Sequence, residues 1–193
     1  NRVLRRCREL NMDLVFLKRK AYDKVKYTDG IEKIGEKVIW NIPEGGSNSE
    51  GVKGCEEIIR ETSNDFDYII VAQGTTTTSL GVLASMHCNT KLIVVPVLKG
   101  FDSIEEMKNL SSKFNLFFDE SKVIVLDNFH FGGYAKTTEE LNAFISVFNK
   151  GSEFQIEPIY TGKVMFALHQ FLKDESIRHK KVLFVHTGGL YIG

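Results

Sequence analysis

The chain has 193 residues, 42% hydrophobic and 26% charged, an ordinary globular balance that excludes a disordered tail, a collagen and a coiled coil. Lys and Arg number 25 and Asp and Glu 25, so the net charge of +0 lacks the basic excess of a nucleic-acid binder, and no apolar run reaches the roughly 18 residues of a membrane helix. The cysteines Cys7, Cys55 and Cys88 are scattered and odd in number, which speaks against a disulfide framework or zinc site and for a reducing, cytoplasmic setting.

In chain order, residues 3–10 space their apolar side chains as a helix does, with a stop at Asn11. The chain opens on Asn1 rather than Met and within this helical pattern, which reads as a piece whose N-terminal part is missing. Asp13-Leu14-Val15-Phe16-Leu17 predicts a short buried strand, and the charged residues 18–37 predict surface helix and loop. Residues 38–42 predict a second strand that ends in the loop Pro43-Glu44-Gly45-Gly46-Ser47-Asn48, with a helix over 51–61. The stretch before Asn41 is less regular and reads as another structural unit.

Tyr68-Ile69-Ile70-Val71-Ala72-Gln73 predicts a buried strand that runs into Gly74-Thr75-Thr76-Thr77-Thr78 and a helix from Ser79. Strands are predicted again over 91–97, 123–126 and 182–186. Helices are predicted from Ser103 and from Thr137, both with capping-box spacing, and over 162–172. Phe144, Phe148, Phe166 and Phe171 fall at helical spacing and are core candidates. These strands are continuous Val, Ile and Leu runs, the signature of cover on both faces. Strand and helix alternating gives an α/β fold with a mostly parallel sheet and helices on both faces.

In such a sheet ligands sit beyond the C-terminal strand ends, at residues 43–48, 74–81 and 187–189 here. A buried strand ending in a glycine turn and a helix start puts backbone N–H groups and hydroxyls of 74–78 where a phosphate binds. The turn is neither a P-loop nor GxGxxG, and the same residues also suit a Thr-rich cap without ligand. Phe129-His130-Phe131-Gly132-Gly133-Tyr134 suggests a pocket wall or a packed turn. Tyr160 and Thr161 open a helix beside the sheet top, where Thr161 alone would serve as an N-cap. The five histidines show no metal-ligand spacing, and His186 is expected to bond backbone rather than act as a base.

Five motifs in order carry a resemblance: residues 42–48, 74–81, His130-Phe131-Gly132-Gly133-Tyr134-Ala135-Lys136, Pro158-Ile159-Tyr160-Thr161-Gly162-Lys163 and His186-Thr187-Gly188-Gly189. Together they resemble the 1-aminocyclopropane-1-carboxylate deaminase / D-cysteine desulfhydrase family of tryptophan-synthase-β-like, fold type II pyridoxal-phosphate enzymes. The resemblance implies that residues 1–41 end a small domain and that 42–193 form most of a large cofactor-binding domain. It implies that Gly74, Thr75, Thr76, Thr77 and Thr78 cradle the phosphate of pyridoxal 5'-phosphate, although the family usually carries more glycine there.

The same resemblance implies that Tyr134 and Tyr160 face a small amino-acid substrate. A phenol there could deprotonate the amine, attack a ring carbon or orient the carboxylate. Thr161 matches the position where the deaminase branch places an acidic partner for the pyridine nitrogen, and Thr187 is a rival partner. A neutral hydroxyl withdraws less charge than a carboxylate-held ring, which favours the desulfhydrase branch. The products would be a 2-oxo acid and ammonia, with sulfide from D-cysteine, and family members are commonly homodimers. The family's Schiff-base lysine lies upstream of anything in this chain, so the chain alone is expected to be inactive, and Lys163 reads as structural. The alternative is a non-catalytic α/β module that binds a phosphorylated ligand.

Overall fold

The computed structural model describes residues 2–62, 65–174, 177 and 179–189, with Ile34 described in its backbone alone. Asn1, which opens the 1–41 unit read from the sequence, and residues 190–193, which end the 42–193 unit, lie outside the described residues.

The large unit is built on four parallel strands: β3 (Tyr68–Gln73), β4 (Lys91–Pro96), β5 (Val123–Val125) and β6 (Val182–Phe184), in the order β5-β4-β3-β6. Alternation along these strands sorts the core into two faces. Ile69, Val71, Leu92 and Val94 point to the side covered by Val52 of α3 (Ser49–Arg60), Leu80 and Val82 of α4 (Thr77–Ser85) and Met107 of α5 (Ser103–Lys113). Ile70, Ala72, Ile93 and Val95 point to the other side, against Val164, Ala167 and Leu168 of α7 (Thr161–Phe171). Outside α7 lies α6 (Glu139–Gly151), through Leu141 and Ile145 against Phe166. Each strand core is therefore apolar on both faces, which is why it reads as an unbroken apolar run. The predicted aromatics join here: Phe144 meets Phe166 edge to face at 5.2 Å and stacks on Phe148 at 6.3 Å, while Phe171 packs against Tyr68.

The chain moves outward from β3 to β4 and β5, then returns to place β6 on the opposite side of β3. The carboxyl ends of β3 and β6 are therefore neighbours at the point where the winding reverses, the place where open α/β sheets hold ligands.

Before the large unit come α1 (Arg2–Glu9), α2 (Arg19–Val25) and an antiparallel hairpin of β1 (Gly30–Ile34) and β2 (Lys37–Asn41). Two expectations are corrected here. Residues 13–17 form no strand; Val15 and Phe16 are 80% and 72% exposed, because no neighbouring strand takes their backbone groups. Within the charged stretch 18–37, β1 was missed, since Gly30-Ile31-Glu32-Lys33 is too polar to look like a strand until β2 pairs with it.

Both predicted capping boxes slip by one residue. Asp102, not Ser103, accepts the N–H of Glu105, and Thr138, not Thr137, accepts that of Leu141. In each case two capping-competent residues stand side by side, and the one directly ahead of the helix takes the cap. No helix among the described residues is long and apolar enough to cross a membrane.

Candidate functional site

The turn after β3 holds an unusual backbone. Thr76 stands in the left-handed region at φ 67°, a conformation that costs an L residue roughly 1–2 kcal/mol. Beneath it the buried Gln73 amide nitrogen donates to Thr76 Oγ1 at 3.2 Å and to the carbonyl of Ser103 at 3.4 Å. The first bond of the following helix is donated by Leu80 to the carbonyl of Thr76 at 3.0 Å. The N–H groups of residues 75–79 find no acceptor among the described residues. Ser79 Oγ is buried among them with no hydrogen-bond partner. A row of free donors and an orphaned hydroxyl at a helix start suits an anion with several oxygens.

These groups open on a hollow of about 310 Å³ whose opposite wall is Thr187 and Gly189 beyond β6, with Tyr160 at one end. It adjoins a larger hollow of about 700 Å³ that shares Glu44, Gly74, Thr75 and Tyr160 and adds Tyr134, Lys26 and Phe101. Gly45 closes over the turn at φ 64°, so near that a Cβ there would lie 2.3 Å from Thr75 Oγ1. A third hollow of about 380 Å³ beside β6 is lined by Ile58, Leu183, Phe184 and Val185 together with Thr62, Thr78, His186 and Thr187, so Thr78 and Thr187 border both it and the smaller hollow.

Tyr134 and Tyr160 meet edge to face, ring centroids 6.0 Å apart. Burial first, and then the Tyr134 phenol, push the Tyr160 hydroxyl well above the usual tyrosine range, so Tyr160 stays a neutral phenol that can donate a hydrogen bond. Each ring is held by a buried charge. Lys163 is fully buried and donates to the carbonyls of His130 at 2.9 Å and Gly133 at 2.8 Å, bracing the loop that carries Tyr134; burial lowers its ammonium below the usual lysine value. Its reading as a structural residue agrees with these contacts.

Glu157 does the corresponding job for Tyr160, and sequence reasoning missed it. Its carboxylate accepts the N–H groups of Tyr160 and Thr161, each at 2.8 Å. The available signal was an acid just ahead of Pro158 and a helix start, the position from which a carboxylate reaches unpaired amides.

Thr161 is buried and its hydroxyl is occupied in both directions, accepting from the N–H of Glu157 at 2.9 Å and donating to Glu157 Oε1 at 3.2 Å. Of the two threonines offered as nitrogen partners, Thr187 lines the smaller hollow and Thr161 does not. His186 is spent on backbone, its Nε2 on the carbonyl of Gln155 at 2.8 Å and its Nδ1 accepting from Gly188 at 3.2 Å. Among the described residues no group of three or more His, Cys, Asp or Glu side chains could hold a metal ion.

No family model matches the chain. A putative 1-aminocyclopropane-1-carboxylate deaminase of Pyrococcus furiosus is 28% identical over 91% of this chain and 58% of its own. The mitochondrial bifunctional D-cysteine desulfhydrase/1-aminocyclopropane-1-carboxylate deaminase of Arabidopsis thaliana is 28% identical over 83% of this chain and 43% of its own. A D-cysteine desulfhydrase of Yersinia enterocolitica is 28% identical over 77% and 49%. The chain is similar to 1-aminocyclopropane-1-carboxylate deaminases and D-cysteine desulfhydrases. A crystal structure described as a homologue of the deaminase superposes with a TM-score of 0.63 over 78% of this chain and 49% of that one, at 24% identity, so the two share a fold. The chain spans about half the length of the curated relatives it matches. The expected resemblance and fold class therefore hold, the sheet being parallel in all four strands of the large unit.

Proposed function

We propose that the chain is the cofactor-binding part of a pyridoxal-phosphate enzyme that releases ammonia from a small amino acid and leaves a 2-oxo acid, with sulfide as a further product when the substrate is D-cysteine. The observation that carries this reading is the row of free N–H groups of residues 75–79, with the orphaned Ser79 hydroxyl among them, facing a hollow large enough for a small phosphorylated ring. Those donors fit a phosphate, and Gly74, Thr75, Thr76, Thr77 and Thr78 would hold it. Thr187 would meet the ring nitrogen from the far wall.

Pyridoxal phosphate, when bound, supplies an aldehyde for the substrate amine and a ring that draws off electrons. The chain's own residues do the rest. Tyr160, kept protonated by burial and by Tyr134, orients the substrate carboxylate or returns a proton, and does not serve as a resting base. Tyr134 packs beside it, and both rings line the larger hollow, where the substrate would enter. Thr187 is neutral, so the ring nitrogen lacks the carboxylate that strengthens its pull, which favours elimination from D-cysteine over opening a cyclopropane.

We take residues 1–41 as the end of a small domain. In support, the hairpin forms its own sheet, and the segment between α2 and β1 meets residues 44–48 through the bonds of Glu44 N–H to the Lys26 carbonyl and of Asn48 Nδ2 to Asp29 Oδ1, both 2.7 Å. The resemblance matches none of this chain's lysines to the one that holds the aldehyde, and without such a lysine the chain would bind the cofactor but not turn over. Family resemblance carries the further expectation of a homodimer, which sedimentation of the complete protein reads directly.

The test compares binding of pyridoxal 5'-phosphate with binding of pyridoxal. The chain is expected to bind the phosphate ester and to discriminate strongly against the free alcohol; equal binding sinks the phosphate site. The complete protein is then assayed for sulfide from D-cysteine against 2-oxobutanoate from 1-aminocyclopropane-1-carboxylate. Phosphate-dependent binding without either product would instead select the non-catalytic module.

A further inference from the structure

Glu157 is 5% exposed, an ionisable group taken almost entirely out of water. No lysine or arginine among the described residues forms a direct ion pair with it, although the buried Lys163 ammonium stands near enough to feel its charge. Its direct partners are backbone N–H groups and one hydroxyl. Oε1 accepts from the N–H groups of Tyr160 and Thr161, each at 2.8 Å, and from the Thr161 hydroxyl at 3.2 Å, while Oε2 accepts from the N–H of Ile159 at 2.6 Å. Pro158 has no N–H to offer, the N–H groups of Ile159, Tyr160 and Thr161 converge on the carboxylate, and that of Gly162 goes to the Glu157 main-chain carbonyl at 2.7 Å. The other side of the same side chain abuts the turn beyond β6: a Cβ at Gly189 would lie 2.9 Å from Glu157 Cγ, at a residue already in the left-handed region with φ 88°. One buried acid thus touches both the segment that presents Tyr160 and the wall that presents Thr187.

We propose that Glu157 is a positioning residue, whose carboxylate fixes where Tyr160 stands relative to Tyr134 and to the Thr187 wall. The inference rests on the proposed enzyme reading only for what Tyr160 does there; its placement does not depend on a cofactor. Glu157→Gln keeps the length and turns one acceptor oxygen into a donor that faces backbone N–H groups. Glu157→Asp keeps the charge and withdraws it by about 1.5 Å, one carbon–carbon bond.

The experiment records NMR spectra of the cofactor-free chain with ring-labelled tyrosine. Tyr160 is assigned with Tyr160→Phe, and the influence of its neighbour is calibrated with Tyr134→Phe. Both Glu157 variants are expected to move the Tyr160 ring resonances off their native positions and to abolish the shift caused by Tyr134. Leu141→Ala, a void in the α6–α7 core, should lower Tm yet leave those resonances in place. Unmoved resonances in both Glu157 variants overturn the proposal, as does an equal movement in Leu141→Ala. Movement in Glu157→Gln alone also overturns it, because charge rather than hold would then be at work. Should Glu157→Gln fail to fold, Glu157→Asp against Leu141→Ala makes the same comparison. Since no pyridoxal phosphate is present, failure of the phosphate-site reading leaves this result untouched.

Discussion

The ammonium of Lys163 donates to the carbonyl of Gly133 at 2.8 Å, one residue ahead of Tyr134. Its second bond goes to the carbonyl of His130, so the cation spans the turn in which Phe131, Gly132, Gly133 and Ala135 all have positive φ. Such a backbone persists only where something over-determines it. Lys163→Met should remove one of two donors from each carbonyl, which keep the N–H groups of Gly133 and Lys136, at about 0.5–1.5 kcal/mol each, seen as a lower Tm, and should loosen Tyr134 before it disturbs the sheet. Amide hydrogen exchange would show faster opening at residues 130–135 than in β3 or β4.

At the turn after β3, stability and affinity should separate. Ser79 Oγ has no partner in the empty protein, so Ser79→Ala is expected to change Tm little or to raise it slightly. The same change should weaken pyridoxal 5'-phosphate binding roughly 10–100-fold, one lost hydrogen bond to a charged group. Parallel thermal melts and ligand titrations check both halves, and a large fall in Tm with unchanged affinity would contradict the placement.

Gln73 compensates for a threonine standing where glycine would be easier. Thr76→Gly relieves the left-handed strain but gives up the bond from Gln73, so its net effect on stability should stay within about 1 kcal/mol. Gln73→Leu leaves Thr76 Oγ1 without its donor, the Ser103 carbonyl keeping its place in α5, but it also removes a buried Oε1 that has no partner, so it should cost no more than about 1–2 kcal/mol by denaturant unfolding.

The Asp67 carboxylate anchors the start of β6. It accepts from the N–H of Lys181 and from the Lys180 ammonium, and these contacts, the backbone bond foremost, hold its carboxyl below the ordinary range. The folded state thus releases this proton more readily than the unfolded chain, whose aspartate titrates near about 3.9. The resulting stabilisation is complete above that pH and is lost as pH falls through the lowered folded value. Asp67→Asn should flatten this part of the acid limb of Tm against pH while leaving the neutral plateau only slightly lower.

How much was readable in advance depended on whether neighbours were local. β3 and its turn into α4 were legible because burial on both faces writes itself as an unbroken apolar run ending in glycine. The two tyrosines were legible as motif residues, and they do meet. Residues 13–17 misled because an apolar run announces burial only when something covers it, and Val15 and Phe16 stand in the open. β1 was hidden because its strand character comes from β2. Glu157 was hidden for another reason: an acid in a sequence looks solvated, and only the fold shows backbone amides converging on it.

The pairing of β6 with β3 also governs the order of events during synthesis. Lys181 docks on Asp67 across 114 residues of chain, so the pocket's far side cannot close until almost everything described here has emerged from the ribosome. Contacts that distant fold slowly. A nascent chain would therefore expose the bare β3 edge throughout translation, and truncation before residue 182 should yield a sticky, ligand-blind product.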